Sequence, residues 1–317
     1  MKLRKGFFSF TFIKWFIIPW LLIIVTILFL YVSMKPPKAD IIKSFVDLSD
    51  VNYEELLILD EKRGISEGVS IEENMPFYLK GSKNVGILLI HGFTASPYEM
   101  RDLGVFLNEN GFGVYGARLP GHGSDPSHIN KLTFSDMYDG LKYGYFVLKN
   151  NYDKLFVIGQ SMGALLALEV TAFNKVDGAV LLSPAFKIKD KKSVFVPIVR
   201  KFIKFSKKEN FDEKYSKYYY GVRPVEGIYQ LMKLSEHIKL VADKIDAPIF
   251  IIQSRYDDII DVSGTKEAFE KLKSKNKKLE ILDDKNIKHI LTTDENPAKD
   301  AIFEKIYSWI MEVSNVY

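Results

Sequence analysis

The chain of 317 residues is 47% apolar and 26% charged, enough for one large globular domain or a medium domain with attachments. It has no cysteine, which excludes thiol catalysis, disulfides and cysteine-ligated metal sites. A mild net charge of +4 gives no case for a nucleic-acid partner, and the five histidines show no HExxH-type metal spacing, so neither metal nor cofactor is expected.

The N-terminus differs from the rest. No charged residue occurs from Trp15 to Met34, and a stretch of that length is about enough to cross a bilayer as a helix. Trp15 and Trp20 lie near one end and Tyr31 near the other, where amphipathic rings favour the interface. The stretch is long for a cleaved signal peptide, and Tyr31 to Pro37 lacks a small-x-small cleavage site. An uncleaved single-pass transmembrane anchor over residues 1–34 is therefore expected. Lys2, Arg4, Lys5 and Lys14 precede the stretch and Lys35, Lys38 and Lys43 follow it; the balance places the main domain outside the cytoplasm. Residues 35–75 read as a linker and extension. Lys35 to Lys38, with two prolines, forms a stiff exit, and Asn52 to Arg63 has helical spacing and ends at Gly64.

From about Pro76 strands alternate with helices. Val85–Ile90 is a continuous apolar strand. Ser96-Pro97-Tyr98-Glu99 opens a helix, with Ser96 and Glu99 as a capping box, and Gly111 closes it. Gly113 to Ala117 is the next strand and Phe134 to Lys149 the next helix. Lys154 to Ile158 is a strand and Ala164 to Phe173 a helix; Gly178 to Leu182, Pro248 to Gln253 and Leu279 to Leu282 are strands, and Ala298 to Met311 is a final amphipathic helix. The pattern predicts an α/β class: a mostly parallel sheet with helices on both faces, core residues 76–184 and 247–317, and ligands beyond the carboxyl ends of the strands. Residues 185–246 break the rhythm and read as an inserted, mostly helical cap. There Val194, Phe195, Ile198, Val199, Phe202 and Ile203 form one apolar face against Arg200, Lys201, Lys204, Lys207 and Lys208, a surface suited to anionic lipid headgroups.

Gly159-Gln160-Ser161-Met162-Gly163 lies between a buried strand and a helix. A serine on such a turn is strained, its hydroxyl is pushed into the open, and flanking glycines avoid collisions of a Cβ with backbone. A serine hydroxyl needs a base to take its proton and an acid to orient that base. After Ser161 only His237 and His289 remain. His237 falls in a helix-like part of the cap, whereas His289 follows the last strand in a loop, where a base could reach Ser161. The acid should follow the preceding strand, where Asp257, Asp258 and Asp261 compete and spacing does not separate the first two. The backbone N–H groups of Met162, next after the serine, and Phe93, in the loop after Val85–Ile90, are the expected oxyanion donors. His91 and His122 read as loop-structuring residues, and His128 has no role.

His91-Gly92-Phe93-Thr94, Pro120-Gly121-His122-Gly123, Gly159 to Gly163, Gln253 to Asp258 and Lys288-His289 run in this order across about Pro76 to Met311. With these pieces the chain resembles the α/β-hydrolase superfamily, and within it the small bacterial carboxylesterases and monoacylglycerol lipases. The resemblance implies the α/β-hydrolase fold with an inserted helical cap, and places the acid at Asp257. It supports Phe93 and Met162 as oxyanion donors. It implies a serine hydrolase working through an acyl-enzyme on monoacylglycerols or other single-chain esters. Short-chain carboxylesterase, thioesterase, amidase or acyltransferase activity and non-catalytic lipid binding are the alternatives. Phe186, Phe195, Ile198, Phe202 and Tyr219 of the apolar cap are expected to line an acyl-chain pocket. The expected partners are a small ester substrate and the membrane, through the N-terminal helix and the basic cap; oligomeric state is not legible.

Overall fold

The computed structural model describes residues 17–34, 42–209 and 211–315. A sheet of seven strands organises them: β1 (Phe77–Leu79), β2 (Val85–Ile90), β3 (Gly113–Ala117), β4 (Lys154–Gln160), β5 (Gly178–Leu182), β8 (Ile249–Ser254) and β9 (Lys277–Leu282). Their spatial order is β1-β3-β2-β4-β5-β8-β9, and only β1, an edge strand not foreseen in the sequence, is antiparallel to its neighbour. β2, β4, β5 and β8 are apolar along their length because both faces are covered. Alternate residues still divide between two cores. Leu88, Ile90 and Val157 face one, with Leu165 and Leu168; Ile87, Leu89 and Ile158 face the other, with Ile302, Ile306 and Trp309.

The helices are α1 (Ile18–Met34), α2 (Tyr53–Ser66), α3 (Arg101–Glu109), α4 (Phe134–Asp139), α5 (Lys142–Lys149), α6 (Met162–Phe173), α7 (Val196–Val199), α8 (Val225–Val241), α9 (Val262–Lys271) and α10 (Lys299–Ser314). Asn52 caps α2 by accepting the Glu54 N–H at 2.9 Å. Gly64 does not end α2: it lies inside, where a Cβ would meet Met75 Sδ at 2.7 Å, and the chain turns at Gly68 with φ +81°. The single helix expected over Phe134 to Lys149 is two. The Gly140 carbonyl, at the break, accepts from Arg63 Nη1 at 3.2 Å, and a Cβ there would sit 2.5 Å from Pro120.

The described residues do not support the expected membrane-spanning helix. α1 has 17 residues, about 25 Å at roughly 1.5 Å per residue, less than the roughly 30 Å hydrocarbon core. No helix among the described residues is long and apolar enough to cross a membrane. α1 is apolar throughout, with Trp20, Leu22 and Ile27 exposed. Trp15, the flanking basic residues Lys2 to Lys14 and the exit Lys35 to Lys38 lie outside the described residues. Within 42–75, Ile42, Phe45 and Leu56 are buried in the core facing α5 and α6.

The cap is also less helical than expected. Beside α7 and α8 it holds a two-stranded antiparallel sheet, β6 (Phe205–Lys207) with β7 (Val222–Pro224). The apolar face over 194–203 is not one long helix. Pro197 stands in the first turn of the four-residue α7, which α1 approaches.

Arg118, fully buried, lies beneath the loop after β3. Its Nη1 donates to Glu67 Oε2 at 2.9 Å and to the His122 carbonyl at 3.1 Å, and Glu67 Oε2 also accepts the Gly121 N–H at 2.6 Å. Removing Glu67 strands a buried cation. Glu67→Ala is expected to lower stability by about 3 kcal/mol, the low end for a broken buried pair, read as a reduced urea midpoint at unchanged slope.

Candidate active site

Ser161 stands between β4 and α6 with φ 57° and ψ −113°, left-handed backbone that a non-glycine residue rarely adopts. Close packing enforces it. A Cβ at Gly159 would fall 2.1 Å from the Gly163 carbonyl oxygen, and one at Gly163 would fall 2.2 Å from the Ile90 carbonyl oxygen. The helix can therefore start directly against the ends of β4 and β2. Ser161 is 8% exposed.

The structure brings Ser161, His289 and Asp257 together from the ends of three strands. Asp257 Oδ2 and His289 Nδ1 are 2.8 Å apart, and His289 Nε2 and Ser161 Oγ 2.9 Å. An ionised carboxylate only accepts, so Nδ1–H donates to Asp257 and Nε2 is left to accept the serine proton. Asp257 Oδ1 also accepts the N–H groups of Ile259 (2.9 Å) and Ile260 (2.8 Å). Burial alone would raise the Asp257 carboxyl, but the charge and hydrogen bond of His289 and these two N–H groups hold it below its ordinary value. Burial pushes the His289 imidazole down, and the Asp257 charge and hydrogen bond outweigh it, so His289 titrates above its ordinary value.

The competing residues sit elsewhere. Asp258 is exposed. Asp261 caps α9 by accepting the Ser263 N–H at 2.9 Å and pairs with Lys187 at 2.9 Å. His237 on α8 is buried against Glu169 of α6, between the Phe134 and Phe173 rings. His91 Nε2 accepts the Leu119 N–H at 3.2 Å, and its Nδ1–H donates to the Gly92 carbonyl at 2.9 Å. His122 Nδ1 donates to the Pro120 carbonyl at 3.0 Å. Burial drives His91 well below its ordinary value and His122 down to about 4, so both are neutral loop supports. His128 Nδ1 is 3.3 Å from Ser124 Oγ.

The loop carrying Phe93 abuts Ser161: a Cβ at Gly92 would lie 3.4 Å from both Ser161 Cβ and the Gln160 carbonyl oxygen. Met162 opens α6, so its N–H is one of the free donors of a helix start. The Phe93 ring packs under α8, where Gly227 leaves it room; a Cβ there would be 2.6 Å from the ring.

The expected acyl-pocket residues do not form one lining. Phe186 and Tyr219 are buried and Ile198 is half-buried, but Phe195 (55%) and Phe202 (83%) are exposed on the outside of the cap. The reason is the break at α7, which splits the expected apolar face.

Several positioning contacts went unread in the sequence. Gln160 Nε2 donates to the His289 carbonyl at 3.0 Å, and Gln160 Oε1 accepts the Leu291 N–H at 3.3 Å, so the residue before the serine holds the histidine loop. Ser254 Oγ donates to the Ile287 carbonyl at 2.6 Å and accepts the Tyr256 N–H at 3.0 Å, tying the acid loop to the same segment. A polar residue ending a buried strand needs a partner, which was the available signal. Glu99 does not complete a capping box. Ser96 makes no side-chain cap, and Glu99 Oε2 instead accepts the Gly92 N–H at 2.6 Å. No cluster of three His, Asp or Glu side chains able to hold a metal occurs among the described residues.

A mostly parallel sheet that presents a serine at its central strand-to-helix turn is the α/β-hydrolase fold, and the protein is a serine hydrolase of that class. More narrowly, the chain belongs to the serine aminopeptidase S33 family (Hydrolase_4), whose family model matches residues 82–296. It is similar to a carboxylesterase of Bacillus subtilis (strain 168), 24% identical over 241 residues that cover 74% of this chain and 95% of that protein. It is likewise similar to a thermostable monoacylglycerol lipase of Bacillus sp. (strain H-257), 28% identical over 230 residues, 69% of this chain and 88% of that protein. A solved structure of the metagenome-derived lipolytic enzymes LipS and LipT superposes with a TM-score of 0.68 at 24% identity, covering 76% of this chain and 99% of that one. The chain is thus a lipase- or esterase-like α/β-hydrolase.

The charge of Asp257 dominates what raises His289. NMR titration of the His289 ring should therefore give a pKa above the ordinary 6.5, and Asp257→Asn should bring it down, while Asp258→Asn should move it far less.

Proposed function

We propose that the protein hydrolyses single-chain acyl esters, monoacylglycerols among them, through an acyl-enzyme on Ser161. The observation that carries this reading is the unbroken chain Ser161 Oγ to His289 Nε2 (2.9 Å) and His289 Nδ1 to Asp257 Oδ2 (2.8 Å). Ser161 Oγ attacks the ester carbonyl as His289 Nε2 takes its proton. Asp257 fixes the imidazole and stabilises the imidazolium. The N–H groups of Phe93 and Met162 bind the oxyanion, a pair of donors of which each is worth about 3 kcal/mol in such sites. The proton on His289 passes to the departing alcohol. Water, deprotonated by the same imidazole, then releases the acid and restores Ser161. The named activities of the two Bacillus relatives support an ester over an amide or thioester.

A hydrolysis screen decides both chemistry and acyl length. Graded acyl-chain esters and monoacylglycerols should turn over faster than thioesters or amides of equal chain length. Ser161→Ala should lose roughly 10⁴-fold or more in kcat and all labelling by a fluorophosphonate probe. Equal labelling of the wild type and Ser161→Ala would remove Ser161 as the nucleophile.

The outer cap supports delivery of substrate from a lipid surface. Val194, Phe195, Phe202 and Ile203 are exposed beside Lys191, Lys192, Lys201 and Lys204. On this reading Phe195→Ser with Phe202→Ser weakens co-sedimentation with anionic vesicles, while hydrolysis of a water-soluble short-chain ester stays within about twofold; unchanged sedimentation counts against the docking face.

A further inference from the structure

We propose that Glu99 is a positioning residue for this acyl transfer, its buried carboxylate holding the Gly92–Phe93 segment so that the Phe93 N–H stays aimed beside Ser161. The inference rests on the Ser161 reading above. Glu99 is 3% exposed, on the short 3-10 turn Pro97–Met100 that precedes α3. Its Oε2 accepts the Gly92 N–H at 2.6 Å, a short charge-assisted bond. A Cβ at Gly92 would be 3.1 Å from that oxygen on one side and 3.4 Å from Ser161 Cβ on the other. Carboxylate, loop backbone and Ser161 therefore lie close together, and a side chain at Gly92 would crowd both neighbours.

The other side of Phe93 is pinned as well. Thr94 has φ 65°, and its carbonyl accepts the N–H of Tyr220 from the cap at 2.9 Å. The peptide that carries the expected oxyanion donor is thus held at its own carbonyl by His91 Nδ1–H and flanked by Glu99 on the core side and Tyr220 on the cap side. Phe93 sits between them, its ring under α8. Capping of the turn does not account for Glu99, because its side chain is committed to Gly92. Nor does an ion pair, since no cation lies within 4 Å of it among the described residues.

The groups that face Glu99 come from three elements: Gly92 from its own loop, His289 from the loop after β9, and Tyr219 and Lys208 from the cap. Burial pushes the Glu99 carboxyl up to about 6, against the Gly92 hydrogen bond, the charge of His289, the Tyr219 hydroxyl and the charge of Lys208. In return, Glu99 adds to Asp257 in holding His289 upward. The general base must be neutral to accept the serine proton, so any negative charge that raises His289 moves the acid limb of kcat/KM to higher pH. Loss of that charge moves the limb down.

Two variants separate these effects. Glu99→Gln keeps an acceptor oxygen for the Gly92 N–H and drops the charge; Glu99→Leu drops both. Glu99→Leu is expected to lower kcat by about 10- to 100-fold, the scale of a misplaced oxyanion donor, with KM changed by less than about threefold. Glu99→Gln is expected to regain most of that kcat and to show an acid limb displaced to lower pH. A merely structural role would lower the melting temperature of both variants without moving the limb. Should Glu99→Leu fail to fold, Glu99→Gln decides alone: retained kcat with a displaced limb supports the proposal, and an unmoved limb overturns it. Glu99→Leu with wild-type kcat also overturns it. Ser161→Ala is the control. If it still turns over, the nucleophile reading has failed; if it is inactive while both Glu99 variants match the wild type, only the Glu99 inference has failed.

Discussion

The packing of β4 against the start of α6 is the constraint on which the rest of the site depends. Gly159 and Gly163 bring helix and strand closer than any side chain would permit, and Ser161, caught between them, takes φ 57°. That conformation is unfavourable by itself, of order 1–3 kcal/mol. The buried sheet around it over-determines the backbone: the Ser161 N–H donates to the Leu182 carbonyl at 2.8 Å and its carbonyl accepts from Ala185 at 3.3 Å. Two further residues at strand ends share the left-handed conformation, Thr94 after β2 and Ser183 after β5. Strain is thus gathered at one rim of the sheet, and the hydrophobic faces of β2, β4 and β5 hold it in place.

A catalytic rim made of loops requires those loops to be rigid, and here each is fastened to another by a buried polar contact. Gln160 holds the histidine loop, Ser254 joins the acid loop to Ile287, and His91 accepts from Leu119. Tyr220 of the cap accepts the Ser124 N–H and donates to the Gly121 carbonyl, both at 2.9 Å. Each such group, once buried, costs more unpaired than paired, so the network resists partial opening. Arg118 and Glu67 extend it to the end of α2, and residues before the sheet, Ile42, Phe45 and Leu56, are packed into the core as well.

Much of this was legible in the sequence, and the exceptions have physical causes. Continuous apolar runs such as Val85–Ile90 fix buried strands, because only a sheet covered on both faces needs them. The glycine pair around Ser161 signals a backbone contact that local pattern alone reveals. Spacing left Asp257 and Asp258 equal, since neighbouring loop residues differ only in which way each points. The structure turns Asp257 inward to the Ile259 and Ile260 N–H groups and leaves Asp258 in solvent. At the break, Gly140 is a weak local signal, while the contacts of its backbone with Arg63 and Pro120, far away in the chain, are not legible locally. The cap misled for a related reason. Apolar residues from Val194 to Ile203 have helical spacing, yet only Val196–Val199 is α-helical, with Pro197 in its first turn after the 3-10 turn Lys191–Phe195. Glu99 satisfied the capping-box spacing but was taken by a stronger partner, the Gly92 N–H.

The charges around His289 follow a single polarity. Asp257 lies in contact with it, Asp258 and Glu99 act from farther off, and all three favour the protonated imidazole. In the proposed mechanism an imidazolium forms when the serine proton is taken, and on that reading this side of the site is preorganised for the charge that develops there. Across the serine lie the start of α6 and the Gly92–Phe93 segment, whose Met162 and Phe93 N–H groups are the proposed complement to a developing oxyanion. The penalty of this layout is a base less available at low pH. Two opposed fields in a largely buried space stabilise separated charge better than either would alone, because low-dielectric surroundings weaken neither. The neutral His91 and His122 fit the same logic: burial holds both below their ordinary values, so neither adds a positive charge that would weaken the field at His289.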